Sequence, residues 1–248
     1  MIITSVKKLT ETAFELSFRA PEMALKAHAG QFVHIKCGNE NFLRRPISIC
    51  DVRGDDIVIV FEIRGKGTDW LSRRTVGEEL DMLGPLGRGF DTCREGRILL
   101  AGGGIGLPPM LYTSKLLKSC DAVLGFRSKS LVMLEEEFRE ICENVIVSTD
   151  DGSYGYAGYA VNAARELIKT NSYIAIYACG PKIMLKSFVE LAEELNIDCF
   201  ISLEERMGCG FGACLVCSCK TKQADGFTYS RVCADGPVFN AKEVIFDD

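Results

Sequence analysis

Histidine is nearly missing from this sequence: His28 and His34 are the only two in 248 residues. A His-built metal site or a His-centred triad has almost nothing to be made from. Basic runs are missing as well, and the net charge is -5. A nucleic-acid surface needs clustered Lys and Arg to displace counterions, so that class of partner is not expected. No stretch approaches 18 uncharged apolar residues, so no membrane span is expected. The opening "MIITSVKKLTETAFELSF" has no basic start followed by an apolar core, and Lys7 and Lys8 interrupt it, so it does not read as a signal peptide. The expectation is cytoplasmic residence. There is no G-x-S-x-G elbow and no Walker motif. Repeats and low-complexity linkers are absent too, so the parts of the chain are expected to pack directly on one another.

Cysteine, by contrast, is plentiful, with twelve residues. Without an export signal these are expected to be thiols or metal ligands rather than disulfides. Four fall within "CGFGACLVCSC", at Cys209, Cys214, Cys217 and Cys219, and Cys233 follows. The spacing Cys209-x4-Cys214-x2-Cys217, then fifteen residues to Cys233, is the order of plant-type [2Fe–2S] ligation. Two irons bridged by two sulfides need four thiolates at two corners. Gly208, Gly210 and Gly212 supply the permissive backbone that lets the thiolates converge. A structural zinc site is the competing reading, but zinc sites usually use two C-x2-C-like pairs and only one is present. Buried free cysteines are the third reading. Cys219 breaks the x2 spacing and reads as a bystander.

The rest of the chain is ordinary globular material, with 47% hydrophobic and 25% charged residues. Its length suits two modest domains, or one large domain with an appendage. Residues 1–95 carry short runs rich in β-branched and aromatic residues ("FELSF", "QFVHIKC", "ISICDV", "DIVIVFEIRG"), which predicts a small antiparallel barrel. From Arg97 strands and helices alternate. Five strands with intervening helices predict a doubly wound parallel sheet over 96–202. Residues 203–248 break the alternation and form a small cysteine-bearing module. The expected class is therefore β-barrel plus α/β.

Two segments of the barrel suit a flavin. In "RRPISI" Arg45 can fork onto a pyrophosphate and Ser48 can offer a hydroxyl near the flavin N5. Taken alone, the string also reads as a strand end with solvated arginines. "GKGTDWL", from Gly65, is a glycine turn opening a helix, with Gly67 and Thr68 where phosphate-binding N–H groups would lie. Its plainer reading is a helix with Thr68 as N-cap. In the α/β part, "AGGGIGLPPM" follows a strand and opens a helix, although Pro109 fills the last position of the G-x-G-x-x-G fingerprint. "TDDGSYGYAG" and "YACGPKIM" follow later strands on the same edge, where such sheets bind ligands. Hydride transfer needs two aligned rings rather than a general base, so the shortage of histidine suits a redox site.

In this order, "RRPISI", "GPLGRGF", "GGGIGLPPM", "TDDGSYG", "CGPKIM" and "SLEERMGCGFGAC…C" resemble the ferredoxin-reductase superfamily, and within it the electron-transfer subunits of NAD-linked dihydroorotate dehydrogenases. The resemblance covers essentially the whole chain. It implies a role in pyrimidine biosynthesis, with FAD, a [2Fe–2S] cluster and NAD as cofactors. It implies a partner subunit that carries FMN and oxidises dihydroorotate, in a heterotetramer of two plus two. By the same resemblance Arg45, Pro46, Ile47, Ser48, Ile63, Gly65, Gly67 and Thr68 would bind FAD. Gly102, Gly103, Gly104, Gly106, Cys179 and Gly180 would bind the nicotinamide nucleotide. Cys209, Cys214, Cys217 and Cys233 would hold the cluster. Two departures stand out. Related reductases carry a tyrosine where this chain has Ile47, so the flavin face must be covered differently. Arg127 and Lys129 in "GFRSK" stand where cofactor choice is often made, which leaves NADP open beside NAD. Related chains serve NAD(P)H:ferredoxin reductases and sulfhydrogenases; in the transhydrogenating branch the first cluster ligand is often Asp, and here it is Cys209. A zinc-stabilised nucleotide-binding module is the alternative from another class.

Overall fold

The computed structural model describes residues 1–246. Its first part is a six-stranded antiparallel sheet of β1 (Ile2–Lys8), β2 (Ala13–Arg19), β3 (Phe32–Ile35), β4 (Arg45–Arg53), β5 (Asp56–Glu62) and β6 (Met82–Leu86), in the order β1-β2-β5-β4-β3-β6. The two outer strands are tied together by the chain that leads into β6. Ile3 N–H donates to the Glu78 carbonyl at 3.0 Å, and Gly77 N–H donates to the Ile3 carbonyl at 2.9 Å. The sheet thus closes into the expected barrel. A short helix α1 (Pro21–Ala24) and a second, α2 (Lys66–Ser72), sit between strands.

Strand β5 shows why the barrel does not stand alone. Its side chains alternate between faces with period two. Ile57, Ile59 and Phe61 fill the barrel core, while Val58 and Val60 point into a second core shared with the following part.

That part is built on β7 (Ile98–Gly103), α3 (Leu107–Leu116), β8 (Cys120–Phe126), α4 (Glu135–Arg139), β9 (Val145–Thr149), β10 (Tyr156–Ala157), α5 (Ala160–Ile168), β11 (Ala175–Cys179), α6 (Lys182–Leu195) and β12 (Asp198–Ser202). The five main strands are parallel in the order β9-β8-β7-β11-β12, so the connections reverse direction at β7, as in a doubly wound sheet. Helix α5 buries Ala160, Ala163, Ala164 and Leu167, the i, i+3, i+4, i+7 stripe of an amphipathic helix. Helix α3 opens on Leu107-Pro108-Pro109, where prolines cost no intrahelical bond. It also grips the barrel. Lys115 Nζ lies 2.6 Å from Asp51 of β4, and the Tyr112 hydroxyl donates to the Ala27 carbonyl.

After β12 the chain forms a two-stranded hairpin, β13 (Ser218–Gln223) and β14 (Gly226–Arg231), then β15 (Val238–Asn240). Here the fold goes beyond the five expected strands. β10 adds a sixth, parallel to β9, and β15 adds a seventh, antiparallel to β12. Strands this short carry too little hydrophobic pattern to be read from sequence. The β15 pairing also makes 203–248 more than an appendage: Cys217, Val232, Cys233 and Phe239 share one core with Ile201 and with Phe32 of the barrel. Among the described residues no helix is long and apolar enough to cross a membrane.

Candidate functional site

Between barrel and sheet lies a cavity of about 810 Å³. Its sheet side is made of turns at the carboxyl ends of parallel strands: Gly103 to Gly106 after β7, Gly125 to Arg127 at β8, Asp150 after β9 and Gly180 after β11. Its barrel side includes Glu62, Ile63 and Arg64. The turns at the strand ends thus face barrel residues directly.

The glycines of the first turn are there for close packing. A Cβ on Gly106 would stand 2.2 Å from the Cys179 carbonyl oxygen, and one on Gly103 would stand 2.7 Å from Met184 Sδ. Glycine at these two positions lets the turn nest against β11 and α6. Gly102 is buried below it and does not line the cavity. Cys179 is also withdrawn. Its thiol is buried and pushed up to about 12 by that burial, while its neighbour Gly180 forms the wall. Arg127 lines the cavity; Lys129 instead lies over the Tyr154 ring, 5.5 Å from its centroid.

The two barrel segments meet at one point. The Arg45 side chain lies over Gly67, so close that a Cβ there would be 2.5 Å from Arg45 Nε. Arg45 is further held by the Leu43 carbonyl and by Asn41 Oδ1. Thr68 is not the N-cap of α2. The cap is Gly65, and Thr68 stands three residues in, its hydroxyl accepting from Arg64 N–H at 2.8 Å and donating to the Gly65 carbonyl at 3.2 Å. Pro46, Ile47 and Ser48 are half-buried on β4, outside the cavity, and Ile47 packs against the barrel core.

The cysteine loop holds its thiols in two pairs. Cys214 Sγ accepts from Cys209 N–H at 3.4 Å, and Cys209 Sγ accepts from Ala213 N–H at 3.2 Å. Cys217 Sγ accepts from Cys233 N–H at 3.4 Å. Burial opposes ionisation of Cys209, but N–H groups of Phe211, Cys214 and Ala213 outweigh it and bring this thiol down to about 6. Among the described residues no three His, Cys, Asp or Glu side chains converge tightly enough to share one ion. Two thiol pairs are what a two-iron cluster asks of its ligands. Cys219 lies apart on β13, its thiol pushed up to about 11 by burial. A Cβ on Gly208 would stand 3.0 Å from Cys214 Sγ, so glycine keeps that thiol's space open.

Sequence reasoning passed over Glu62, Arg64 and Glu204 on the cavity wall. Glu204 belongs to the "SLEER" string, but isolated carboxylates carry no spacing signal.

Comparison with known proteins gives a consistent picture. Residues 204–245 match the family model described as the iron-sulfur cluster binding domain of dihydroorotate dehydrogenase B. The dihydroorotate dehydrogenase B (NAD(+)) electron transfer subunit of Caldanaerobacter subterraneus subsp. tengcongensis is 39% identical, over 98% of this chain and 97% of its own. The subunit of that name from Clostridium perfringens is 41% identical, over 91% of this chain and 90% of its own. Among solved structures, that of an NADH-dependent reduced ferredoxin-NADP oxidoreductase superposes with a TM-score of 0.88 at 30% identity, covering 98% of this chain and 89% of the other. A ferredoxin NADP+ reductase from Neisseria gonorrhoeae shares the fold, with a TM-score of 0.65 at 14% identity over 78% of this chain and 89% of its own. With full-length relatives near 40% identity and a matching cysteine module, this chain belongs to the family of dihydroorotate dehydrogenase B electron-transfer subunits.

Proposed function

We propose that this chain takes electrons from a partner subunit that oxidises dihydroorotate and delivers them, by way of a [2Fe–2S] cluster and FAD, to NAD+. The observation that carries the reading is the packing of one thiol pair, Cys217 and Cys233, into the same core as the sheet that walls the cavity, with Cys209 and Cys214 on the exposed side of the same loop. Membership of the family supports a catalytic partner subunit. The finer reading is that the partner carries FMN and that two copies of each chain assemble.

The residues present fit these groups. Cys209 with Cys214, and Cys217 with Cys233, would hold one iron each. Arg45 would pair with the FAD pyrophosphate, with Gly67 and Thr68 leaving room beside it. Pro46, Ile47, Ser48, Ile63 and Gly65 would line the rest of the flavin site. Gly103, Gly104 and Gly106 would let backbone approach the nucleotide phosphates, Gly102 and Cys179 would support that turn from below, and Gly180 would border the nicotinamide. A bound flavin exchanges a hydride's two electrons with nicotinamide and single electrons with a cluster. The task left to the chain is placement: it excludes water from the cavity and fixes the distances between the groups. No general acid or base is required of it.

A second reading has its own support, since the ferredoxin-NADP oxidoreductase structure matches over nearly the whole chain. Anaerobic co-purification from the native cells separates the two. A co-eluting FMN protein, in a two-plus-two complex that reduces NAD+ with dihydroorotate, is the expected result. A brown, NADH-reducible eluate without that activity would move the assignment to the ferredoxin branch.

A further inference from the structure

His34 is fully buried, at 0% exposure, and it lies at the junction of the flavin barrel and the cysteine loop. On β3 it pairs across the sheet with Pro46 of "RRPISI" on one side and with Leu83 on the other. Its Nδ1 is 3.3 Å from the carbonyl oxygen of Cys209. A carbonyl only accepts, so Nδ1 carries the hydrogen and Nε2 the lone pair. Nε2 is buried with no hydrogen-bond partner among the described residues. Folded proteins seldom leave a buried polar atom unpaired, and such atoms call for an explanation other than packing.

A second observation meets the first from the loop side. Residue 210 follows the first thiol of the set, and its φ is +82°. A Cβ there would stand 2.4 Å from His34 Nδ1. Glycine is thus required twice over, by the backbone angle and by the imidazole. His34 and Gly210 together seat the Cys209 end of the loop on the barrel.

We infer that His34 is a positioning residue for electron exchange: its Nδ1–H bond to the Cys209 carbonyl fixes the cluster against the flavin barrel and tunes the cluster's potential. The inference rests on the reading of Cys209 as a cluster ligand. Reduction adds negative charge to a cluster. An N–H dipole whose positive end faces a ligand residue favours that charge, and outer-shell partners of metal ligands orient them and tune the site. Loss of the bond therefore lowers the potential and loosens the placement.

The test uses the complete complex with its cofactors and three variants. His34→Asn puts an amide N–H near the place of Nδ1. His34→Gln puts it near the place of Nε2. His34→Leu removes it. The readouts are the cluster midpoint potential and g-values by EPR-monitored titration, and the rate at which NADH reduces the cluster. The expected result is a potential near wild type for His34→Asn. For His34→Gln and His34→Leu the expectation is a lower potential, altered g-values and at least a fivefold slower reduction. Should His34→Leu not fold, the Asn and Gln pair decides alone. Wild-type potential and g-values in His34→Gln overturn the inference, as does an Asn variant shifted as far as Gln. A wild-type complex with no [2Fe–2S] signal overturns the ligand reading itself, and the inference with it.

Discussion

Arg45 and Gly67 come from separate segments, β4 and α2, yet they share a space too small for one added methyl group. A Cβ on Gly67 would lie 2.5 Å from Arg45 Nε and 2.8 Å from Cζ. Gly67→Ala must therefore push the guanidinium out of place. A charge-assisted hydrogen bond to a phosphate is worth about 1.5–3 kcal/mol, so FAD affinity should fall roughly 10- to 100-fold. The fluorescence of released FAD on dilution measures it. Arg45→Ala should cost a similar amount, and the double variant little more than either single one, because both remove the same contact. Additive losses would show that Gly67 acts independently of Arg45.

The paired thiols make a sharp set of expectations. Cys217→Ser or Cys233→Ser should abolish the cluster, and iron should fall from about two per chain to near zero. Both thiols are buried in the shared core, so these variants should also lose thermal stability. Cys219→Ser should keep full iron and sulfide content, since Cys219 sits on β13 outside the pairs. Metal and sulfide analysis of the three proteins decides. A Cys219 variant that lacked iron and sulfide would mean that the ligand set was misread.

Much of this organisation was legible in the sequence. The alternation of strand and helix fixed the order of elements from Arg97 onward, because helix and strand periods differ. The cysteine spacing pointed to the loop, because ligand geometry leaves little freedom in spacing. Other features depend on contacts distant in sequence. The barrel closes through Ile3 and Glu78, and β15 returns from the end of the chain to pair with β12; neither leaves a local signal. Thr68 looked like an N-cap because a hydroxyl near a helix start usually is one, and only the backbone shows Gly65 in that place. The family resemblance implied Cys179 beside the nicotinamide; its thiol is buried, and Gly180 next to it lines the cavity. His34 carried no motif at all, and its contact with Cys209 spans 175 positions.

The first glycine turn offers a contrast between two neighbours. Gly106→Ala would set a Cβ 2.2 Å from a backbone carbonyl of β11, which has no rotamer to escape by. The turn must shift, and NADH affinity should drop at least about 10-fold, equivalent to about 1.4 kcal/mol. Gly104 has open space around it but a φ of +52°. Gly104→Ala should therefore cost only the left-handed strain of about 1–2 kcal/mol in stability, with a smaller effect on NADH. Titrations of NADH against the flavin-loaded protein, beside thermal melts, would separate the two. Equal losses of affinity would mean that both positions act through strain alone.

Tyr177 should give the fold an alkaline limit. Its ring is buried against Phe90 and Phe200, and its hydroxyl donates to the Asp91 carbonyl at 2.7 Å. Burial pushes this phenol up to about 12 from an ordinary 10.0; Arg94 opposes that and Asp91 and Asp198 add to it. The folded state then holds the proton more tightly than the unfolded state. The associated stability is whole below pH 10 and is lost as pH rises towards 12, at a total of about 3 kcal/mol. Cys179 and Cys199, also pushed up to about 12 by burial from 9.0, begin the decline one unit earlier. Tyr177→Phe should cost about 1 kcal/mol at pH 8 for the lost hydrogen bond. From pH 10 to 12 it should then decline less steeply than wild type. Urea unfolding at pH 8, 10 and 11.5 gives both slopes. Parallel slopes for the two proteins would mean that this phenol titrates alike folded and unfolded, and that other buried groups, Cys179 and Cys199 and the phenols of Tyr112 and Tyr173 among them, set the alkaline limit.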